Sequence, residues 1–324
     1  MSNNETVLKA LKATGEATRL RILVLLQHGD LAVGELVDIL GQSQPRLSHH
    51  LKTLTQADVI TRLPEGSWVF YRLTREAPVD ALLTTLLNSL DTTLAPYSHD
   101  LAALKKVRRS RSATANSYFE SVAEDWDTIR ALHFPTDALE TALLDSAGPG
   151  PFHKHVDLGT GTGRMINLFG DRAREAEGLD ISHHMLTVAR ANLVASGHAS
   201  ASVRQGDVTA TPFADHSADL VTVHQVLHFL DDPSAVIDEA SRILRPGGKL
   251  LIADFAPHTL DFLRDQQGHR RLGIRETDMI NWCKAAGLDL SAPRRFDPPS
   301  DLDQGLSVLI WSATQPALVK ETAA

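Results

Sequence analysis

The sequence predicts two domains, a mostly helical one with a short strand pair, then an α/β domain built on a parallel sheet. A length of 324 residues suits two domains that each bury a core. Residues 5–100 carry apolar residues at a spacing near 3.6, interrupted by one short strand pair. From about residue 153, short apolar runs alternate with amphipathic helical stretches, which is typical of a parallel sheet covered on both faces.

The composition is that of a globular chain, with 43% hydrophobic and 22% charged residues. No segment approaches the roughly 18 apolar residues that span a bilayer, and the first residues lack an apolar signal-peptide core. We therefore expect a cytoplasmic protein without a membrane partner. The single cysteine, Cys283, excludes an intramolecular disulfide and a multi-thiolate site, so no metal centre is expected.

Charge is divided unevenly along the chain. The net charge is −8, but residues 1–111 hold 14 Lys and Arg against 11 Asp and Glu, a balance of +3. The remainder holds 18 against 29, a balance of −11. A modest positive balance permits contact with phosphates, so a DNA-binding prediction must depend on a motif.

We place the domain boundary in the segment 105–117, KKVRRSRSATANS, which is rich in Lys, Arg, Ser and Ala and suits a solvated connection. The predicted domains are residues 1–104 and 118–324. Residues 118–150 read as a helical lead-in to the second domain. Its aromatic and histidine side chains could cap a ligand pocket, although ordinary packing is the default: Tyr118, Phe119, Trp126 and His133.

A helix, a tight turn and a second helix follow one another in the first domain. VGELVDIL (33–40) runs into Gly41, and Ser43 and Pro45 suit the start of a helix at about Gln44. The second helix places three leucines on one stripe and polar residues on its other faces. These polar residues are predicted to enter a DNA major groove or contact phosphates: Gln44, Arg46, Ser48, His49 and Lys52.

The segment 59–73, VITRLPEGSWVFYRL, reads as two strands around the turn Pro64-Glu65-Gly66-Ser67. Such a hairpin after a helix-turn-helix is a wing, and we expect Arg62 and Arg72 to lie near phosphates. The first domain is therefore predicted to have a winged helix-turn-helix fold.

Residues 5–100 resemble the ArsR family of bacterial winged-helix repressors, through ATRLRILVLL, GELVDILGQSQPRLSHHLKTLTQADVI and VFYRL. The resemblance implies a homodimer formed by the first and last helices, here about 5–14 and 77–104. It also implies a two-fold symmetric operator in double-stranded DNA. The metal-sensing branch of the family carries cysteines before the turn, where this chain has LAVGELVDIL and no thiolate.

A glycine-rich loop follows the first strand of the second domain, with Asp157 before Gly159, Gly161 and Gly163. Glycines let a backbone turn sharply and allow a ligand to approach it closely. The spacing differs from the G-x-G-x-x-G of nicotinamide-binding domains. Two further acids end the next strands: Asp180 could accept hydrogen bonds from a ribose, and Asp207 could meet an adenine edge.

VDLGTGTG, GLDIS, QGDV, ADLVTVHQVLHFLDDP and RILRPGGKLLIADF together resemble the class I S-adenosylmethionine-dependent methyltransferases over about residues 117–315. The resemblance implies a Rossmann-like α/β fold whose sheet closes with an antiparallel hairpin, with 306–315 as a final strand. It also implies that S-adenosylmethionine or S-adenosylhomocysteine binds, and it assigns the ligand parts as follows. The methionine moiety is lined by Asp157, Gly159, Gly161 and Gly163, the ribose is bound by Asp180 beside Ile181, and adenine is held by Asp207 and Val208.

Catalysis is harder to predict, because methyl transfer needs mainly proximity and alignment and has no shared catalytic residue. His224 and His228 flank the carboxyl end of the fourth strand, where either could act as a base, and packing or capping explains each at least as well. The run 269–271, His-Arg-Arg, could bind an anionic acceptor or line the domain interface, with surface placement as the default.

We weigh three functions. The first is a transcriptional regulator whose methyltransferase-like domain senses the adenosyl ligand, an architecture similar to proteobacterial ArsR-type repressors that respond to S-adenosylhomocysteine and govern methionine-cycle genes. The second is an active methyltransferase of a small molecule with an autoregulatory DNA-binding domain. The third is a structural dimer module without DNA binding, which the polar recognition helix disfavours.

Overall fold

A computed structural model describes residues 3–65, 68–74, 77–107, 136–198, 201–298 and 305–317. The chain divides into two compact units, residues 1–114 and 115–324. The four side chains singled out in the lead-in, and Gly66 and Ser67 at the wing tip, lie outside the described residues.

The described part of the first unit consists of helices around a small antiparallel sheet of order β1-β3-β2. The helices are α1 (Asn3–Thr14), α2 (Ala17–Leu26), α3 (Val33–Leu40), α4 (Gln44–Gln56), α5 (Val79–Asn88) and α6 (97–107). The strands are β1 (Leu31–Ala32), β2 (Ile60–Glu65) and β3 (Trp68–Leu73).

The helix-turn-helix forms as the sequence predicts. Helix α3 ends at Gly41, whose φ of 62° lies in the left-handed region that glycine adopts without strain. Ser43 is extended at the start of α4, and Pro45 occupies the first turn, where its missing N–H costs no hydrogen bond. Leu47 and Leu51 on α4 pack into one core with the apolar side chains of α2 and α3.

Helix α6 is joined to α2 by a bidentate ion pair. The Arg21 guanidinium donates two hydrogen bonds of 2.7 Å to the two carboxylate oxygens of Asp100. Asp100 is only 3% exposed, so its charge is compensated within the fold rather than by water. Leu104, further along α6, is buried in the same core as α2.

The described part of the second unit alternates strands and helices, apart from its last strands. The helices are α7 (Thr136–Ala147), α8 (Arg164–Phe169), α9 (His183–Ala195), α10 (Pro233–Ile243), α11 (Phe262–Gln267) and α12 (Glu276–Ala285). The strands are β4 (Phe152–Leu158), β5 (Ala173–Asp180), β6 (Ala201–Gln205), β7 (Ala218–His224), β8 (Leu244–Phe255), β9 (Asp289–Leu290), β10 (Arg294–Phe296) and β11 (Val308–Thr314).

These strands form one sheet in the order β10-β11-β8-β7-β4-β5-β6, with β9 beside β11. Strands β4 to β8 pair in parallel, and β11 pairs antiparallel with β8 and β10. The chain runs outward through β4, β5 and β6 and then returns to β7 on the other side of β4. This reversal opens a crevice between β4 and β7 at the carboxyl ends of the strands, which is where open α/β sheets bind ligands.

The sheet is buried on both faces, as parallel sheets generally are. Apolar side chains of α10 and α12 cover one face, and those of α7 and α8 belong to a separate apolar cluster. None of the helices in the described ranges has both the length and the apolar character needed to span a membrane.

Candidate functional site

Helix α4 presents the polar surface that the sequence predicts for a recognition helix. Its five candidate DNA-contact residues are all exposed, while Leu47, Leu51 and Leu54 are at most 1% exposed. The exposed set is Gln44, Arg46, Ser48, His49 and Lys52. The helix therefore has side chains with donors and acceptors suited to base edges and phosphates.

The two arginines predicted for the wing differ in their surroundings. Arg62 on β2 is exposed. Arg72 on β3 instead forms a bidentate ion pair with Asp30, at 2.8 and 2.6 Å. Because the Asp30 side chain is only 7% exposed, this carboxylate holds the guanidinium in the fold. The phosphate contact of Arg72 stays a prediction, and the structure adds this ion pair to it.

The glycine loop after β4 is fixed by the neighbouring strand. The N–H groups of Gly159 and Thr160 both donate to the carbonyl oxygen of Leu179, at 2.7 and 2.9 Å. The N–H of Gly163 donates to the Thr160 oxygen at 2.8 Å, and the Asn192 amide donates to the carbonyl of Thr162 at 2.9 Å. The loop is therefore held in one shape by β5, by itself and by helix α9.

Two glycines of this loop have different surroundings, although both have positive φ angles. Gly159 has φ 78°, and a Cβ there would collide with the methyl groups of Val226, of which Cγ1 lies 2.9 Å away. Gly161 has φ 52°, and a Cβ there would meet no atom within 4 Å. Gly159 thus allows the close approach of the segment after β7, while Gly161 faces open space.

Asp180, at the end of β5, receives hydrogen bonds from two directions. One carboxylate oxygen accepts from the N–H of Gly161 and the other from the N–H of Ser182, both at 2.8 Å. Burial raises the pKa of Asp180 above its ordinary value, although these backbone donors oppose the shift. The carboxylate is therefore positioned beside the open face of the glycine loop.

The residues after β5 and β6 lie at the same edge of the sheet. Ile181 is 54% exposed, which is unusual for a large apolar side chain, and Gln205 donates from its amide to the Ile181 carbonyl at 2.9 Å. Asp207 is exposed, and one of its oxygens accepts from the N–H and hydroxyl of Thr209, at 2.8 and 2.7 Å. Val208 is 8% exposed. An exposed apolar side chain and an exposed carboxylate thus end the adjacent strands.

Asp157 is on the predicted strand end, but its carboxylate points into the sheet. It is 1% exposed and accepts a hydrogen bond of 2.6 Å from the hydroxyl of Thr222 on β7. Since that hydroxyl gives its single proton to Asp157, the Nε2–H of His155 donates to Thr222 at 2.8 Å. Burial raises the pKa of Asp157 to about 6 and lowers the pKa of His155 to about 3. The contact between Asp157 and a ligand stays a prediction, and in this structure the carboxylate is hydrogen-bonded to β7.

His228, predicted as a possible base, lies in a closed cluster. Its ring is 1% exposed, and Nδ1 donates to Asp254 at 2.6 Å. Asp254, fully buried at the end of β8, also accepts from the N–H groups of Leu227 and Phe255, at 2.9 and 2.8 Å. The ring centroid of His269 lies 4.3 Å from that of His228. This is a packing and hydrogen-bonding role rather than that of an accessible base.

The run 269–271 closes over this cluster, contrary to the expected surface placement. His269 is 5% and Arg271 8% exposed, and the N–H groups of Arg270 and Arg271 donate to the carbonyl of His228, at 2.9 and 3.1 Å. His224, the other predicted base, is the last residue of β7 and is half-buried.

The sequence analysis missed Asp254 and Gln225. A charged residue inside the apolar run LLIADF was a usable signal for Asp254, because a buried carboxylate requires donors. Gln225 follows β7 with φ 57° in the left-handed region and is 5% exposed. Nothing in the sequence around Gln225 indicated that conformation.

Family models match both units. Residues 16–62 match the model for bacterial regulatory proteins of the arsR family, and residues 156–252 match a methyltransferase domain model. The first match contains α2, α3 and α4, and the second contains the glycine loop and Asp180.

Individual proteins resemble the second unit. A demethylmenaquinone methyltransferase of Renibacterium salmoninarum is 32% identical over 36% of this chain and 47% of its own length. A ubiquinone/menaquinone biosynthesis C-methyltransferase of Shewanella sediminis is 32% identical over 45% of this chain and 61% of its own. The matches thus span about half to three fifths of these curated relatives.

A solved structure agrees with the fold. A chain in the complex of the Haloferax volcanii Trm112 methyltransferase activator with its proposed methyltransferase has a TM-score of 0.53. It is 21% identical, and the match covers 62% of this chain and 97% of that one. The chain therefore joins an ArsR-family helix-turn-helix domain to a methyltransferase domain with a Rossmann-like fold.

Proposed function

We propose that this protein is a DNA-binding transcriptional regulator whose methyltransferase domain binds S-adenosylmethionine or S-adenosylhomocysteine as a signal. The DNA-binding part is supported by the exposed polar residues of α4 and by the arsR-family match. In this proposal Arg46 reads a base, because arginine pairs with guanine in the major groove, and Arg62 contacts a phosphate. We propose that the protein acts in the cytoplasm, where operator DNA is accessible to it.

The adenosyl ligand fits the edge of the sheet at the carboxyl ends of β4, β5 and β6. Gly161 leaves open space over the loop, and Asp180 lies beside it as an acceptor for ribose hydroxyls. Ile181 offers an exposed apolar surface for the adenine ring, and Asp207 and Val208 lie at the next strand end. We propose that the ligand lies along these strand ends, with its amino-acid end at β4 and its adenine at β6.

Burial of His228 is the observation that favours sensing over catalysis. The cluster beyond β7 is buried, with His228, Asp254, Phe255 and His269 each at most 5% exposed, so His228 is not placed as an accessible base. We propose that a domain with residues suited to bind the methyl donor, and with His228 withdrawn into the fold, reports the ligand.

The regulator is proposed to act as a homodimer on a two-fold symmetric operator. Leu8 and Leu11 on α1 and Leu94 before α6 are 53%, 45% and 61% exposed. Exposed large apolar side chains in these segments suit the dimer contact that the family resemblance implies.

The second candidate function is methyl transfer to a small molecule, which the names of the curated relatives favour. In that case His224, which is half-buried at the end of β7, is the remaining candidate base. The acceptor named for those relatives is not carried over to this chain.

One experiment separates the two functions. The full-length protein is titrated onto operator DNA with and without each adenosyl ligand, and methyl transfer to small acceptors is measured in parallel. We expect one ligand to change the operator Kd, and, by linkage, DNA to change the Kd of that ligand by the same factor. A Gly161→Arg variant should keep operator binding and lose the response. Turnover together with an operator Kd that neither ligand changes would refute the sensor proposal.

A further inference from the structure

Gln225 combines two features that are unfavourable unless something compensates them. Its φ of 57° is left-handed, which side-chain-bearing residues rarely adopt. Its side chain is 5% exposed, and the buried Nε2 has no hydrogen-bond partner among the residues that the structure describes. Buried amide groups in native proteins are nearly always paired, so an orphaned one at a crevice points to a ligand.

The backbone around Gln225 is held by hydrogen bonds and packing on both sides, so its left-handed φ angle does not belong to a loose turn. Its N–H donates to the carbonyl of Ala253 on β8 at 2.7 Å. The next residue, Val226, packs against Gly159, and the N–H of Leu227 donates to Asp254 at 2.9 Å. Neighbours on β8 and the glycine loop therefore fix the position of the backbone that carries this side chain.

The position of Gln225 along the sheet edge indicates which part of a ligand it would meet. The order of strand ends is β6, β5, β4, β7, and the proposed function puts adenine at β6 and ribose at β5. The sulfur and the amino-acid end must then lie over β4 and β7. Gln225 follows β7, and its neighbour Val226 contacts the first glycine of the loop, so Gln225 lies on the amino-acid side of the crevice.

We propose that Gln225 is a specificity-determining residue whose amide N–H donates to the α-carboxylate of the adenosyl ligand. This inference depends on the proposed function, since it assumes that the crevice takes an adenosyl amino acid. A carboxylate is the acceptor that an unpaired amide N–H binds most strongly, because a charged partner strengthens the hydrogen bond. The contact selects ligands that retain the amino-acid part over adenosyl thioethers that lack it.

The test compares two ligands on the full-length chain by isothermal titration calorimetry. S-adenosylhomocysteine carries the amino-acid part, and 5′-methylthioadenosine lacks it. Gln225→Met keeps the length of the side chain and removes its polar atoms. We expect Gln225→Met to weaken S-adenosylhomocysteine binding about tenfold or more, with the methylthioadenosine Kd within about threefold of wild type.

Gln225→Glu has the same shape but loses the donor and adds a negative charge, so it should lose at least as much affinity. The matched control is Gln205→Met on the adenosine side, where the amide donates to the Ile181 carbonyl. That change should alter both Kd values by the same factor. Thermal unfolding of each variant confirms that it is folded, and the ratio of the two Kd values is compared only among folded variants.

Three results would overturn the inference. The Gln225→Met variant could bind S-adenosylhomocysteine as wild type does, or lose both ligands equally. The Gln225→Glu variant could keep its affinity, which would mean that the amide accepts a hydrogen bond from the ligand's ammonium group. Wild-type protein that binds neither ligand would refute the proposed function itself, and this failure is distinct because it needs no variant.

Discussion

Adding one methyl group to Gly159 or to Gly161 should have different effects on stability. Both residues have positive φ angles, so alanine costs about 1–2 kcal/mol of backbone strain at either position. At Gly159 the new Cβ also collides with the methyl groups of Val226, which adds about 1–3 kcal/mol of overpacking. At Gly161 no atom lies within 4 Å of the new Cβ.

The unfolding free energy of the second unit should therefore fall by about 2–5 kcal/mol in Gly159→Ala and by about 1–2 kcal/mol in Gly161→Ala. For a domain of this size, the gap corresponds to a Tm difference of roughly 2–12 °C. Differential scanning calorimetry of the full-length protein measures this difference without added ligand.

A double-mutant cycle with Val226→Ala isolates the clash. Removing the valine methyl groups should recover much of the loss in Gly159→Ala and none of the loss in Gly161→Ala. Equal losses at the two glycines, or a coupling free energy between positions 159 and 226 within about 0.5 kcal/mol of zero, would refute the reasoning.

Three other predictions follow from the geometry. Arg46→Ala should weaken operator binding by about 1–3 kcal/mol with little change in Tm, which gel-shift titration checks. Arg72→Ala should instead lower the unfolding free energy by about 1–3 kcal/mol, because it removes two charge-assisted hydrogen bonds to Asp30, and urea unfolding checks this. A pure binding defect in Arg72→Ala would contradict the ion-pair role. Burial lowers the pKa of His155 to about 3, so the unfolded chain takes up the proton first as the pH falls. The free energy of unfolding of the wild type should then fall by about 2 kcal/mol between pH 6.5 and pH 5, whereas that of His155→Leu should not show this fall. Urea unfolding that gives the same pH dependence for the two proteins would contradict this. Burial raises the pKa of Asp157 to about 6, so ionisation of this carboxyl opposes folding as the pH rises from 4 to 7. Over that range the free energy of unfolding of Asp157→Asn should rise by about 2–3 kcal/mol relative to that of the wild type. A difference between the two proteins that does not change with pH would show that the carboxylate does not titrate there.

Local chemistry made much of the fold predictable. Gly41, Ser43 and Pro45 mark a helix end, a turn and a helix start within five residues, and the structure has these elements at those positions. In the second unit, strand β5 ends at Asp180, as predicted. Such features depend on residues adjacent in the sequence, so a local sequence pattern can predict them.

The side-chain contacts that the sequence did not indicate depend on residues far away in the sequence. Asp157 points into the sheet because its partner Thr222 is on β7, 65 residues later, and the parallel register places the two side by side. Arg72 is paired with Asp30, 42 residues earlier. A spacing rule shows that a residue is at a strand end, but the facing strand decides where its side chain points.

The ion pair between Arg21 and Asp100 links helix α6, at the end of the described first unit, to helix α2 and so to the core beneath α4. Helix α6 is the last described element before residue 108, and detaching it from α2 would leave a buried carboxylate without its partner, at about 3–5 kcal/mol. We therefore expect a force on the chain at that point to move α2 and α6 together. Because α2 and α4 share one apolar core, such a movement would also shift the exposed polar side chains of α4.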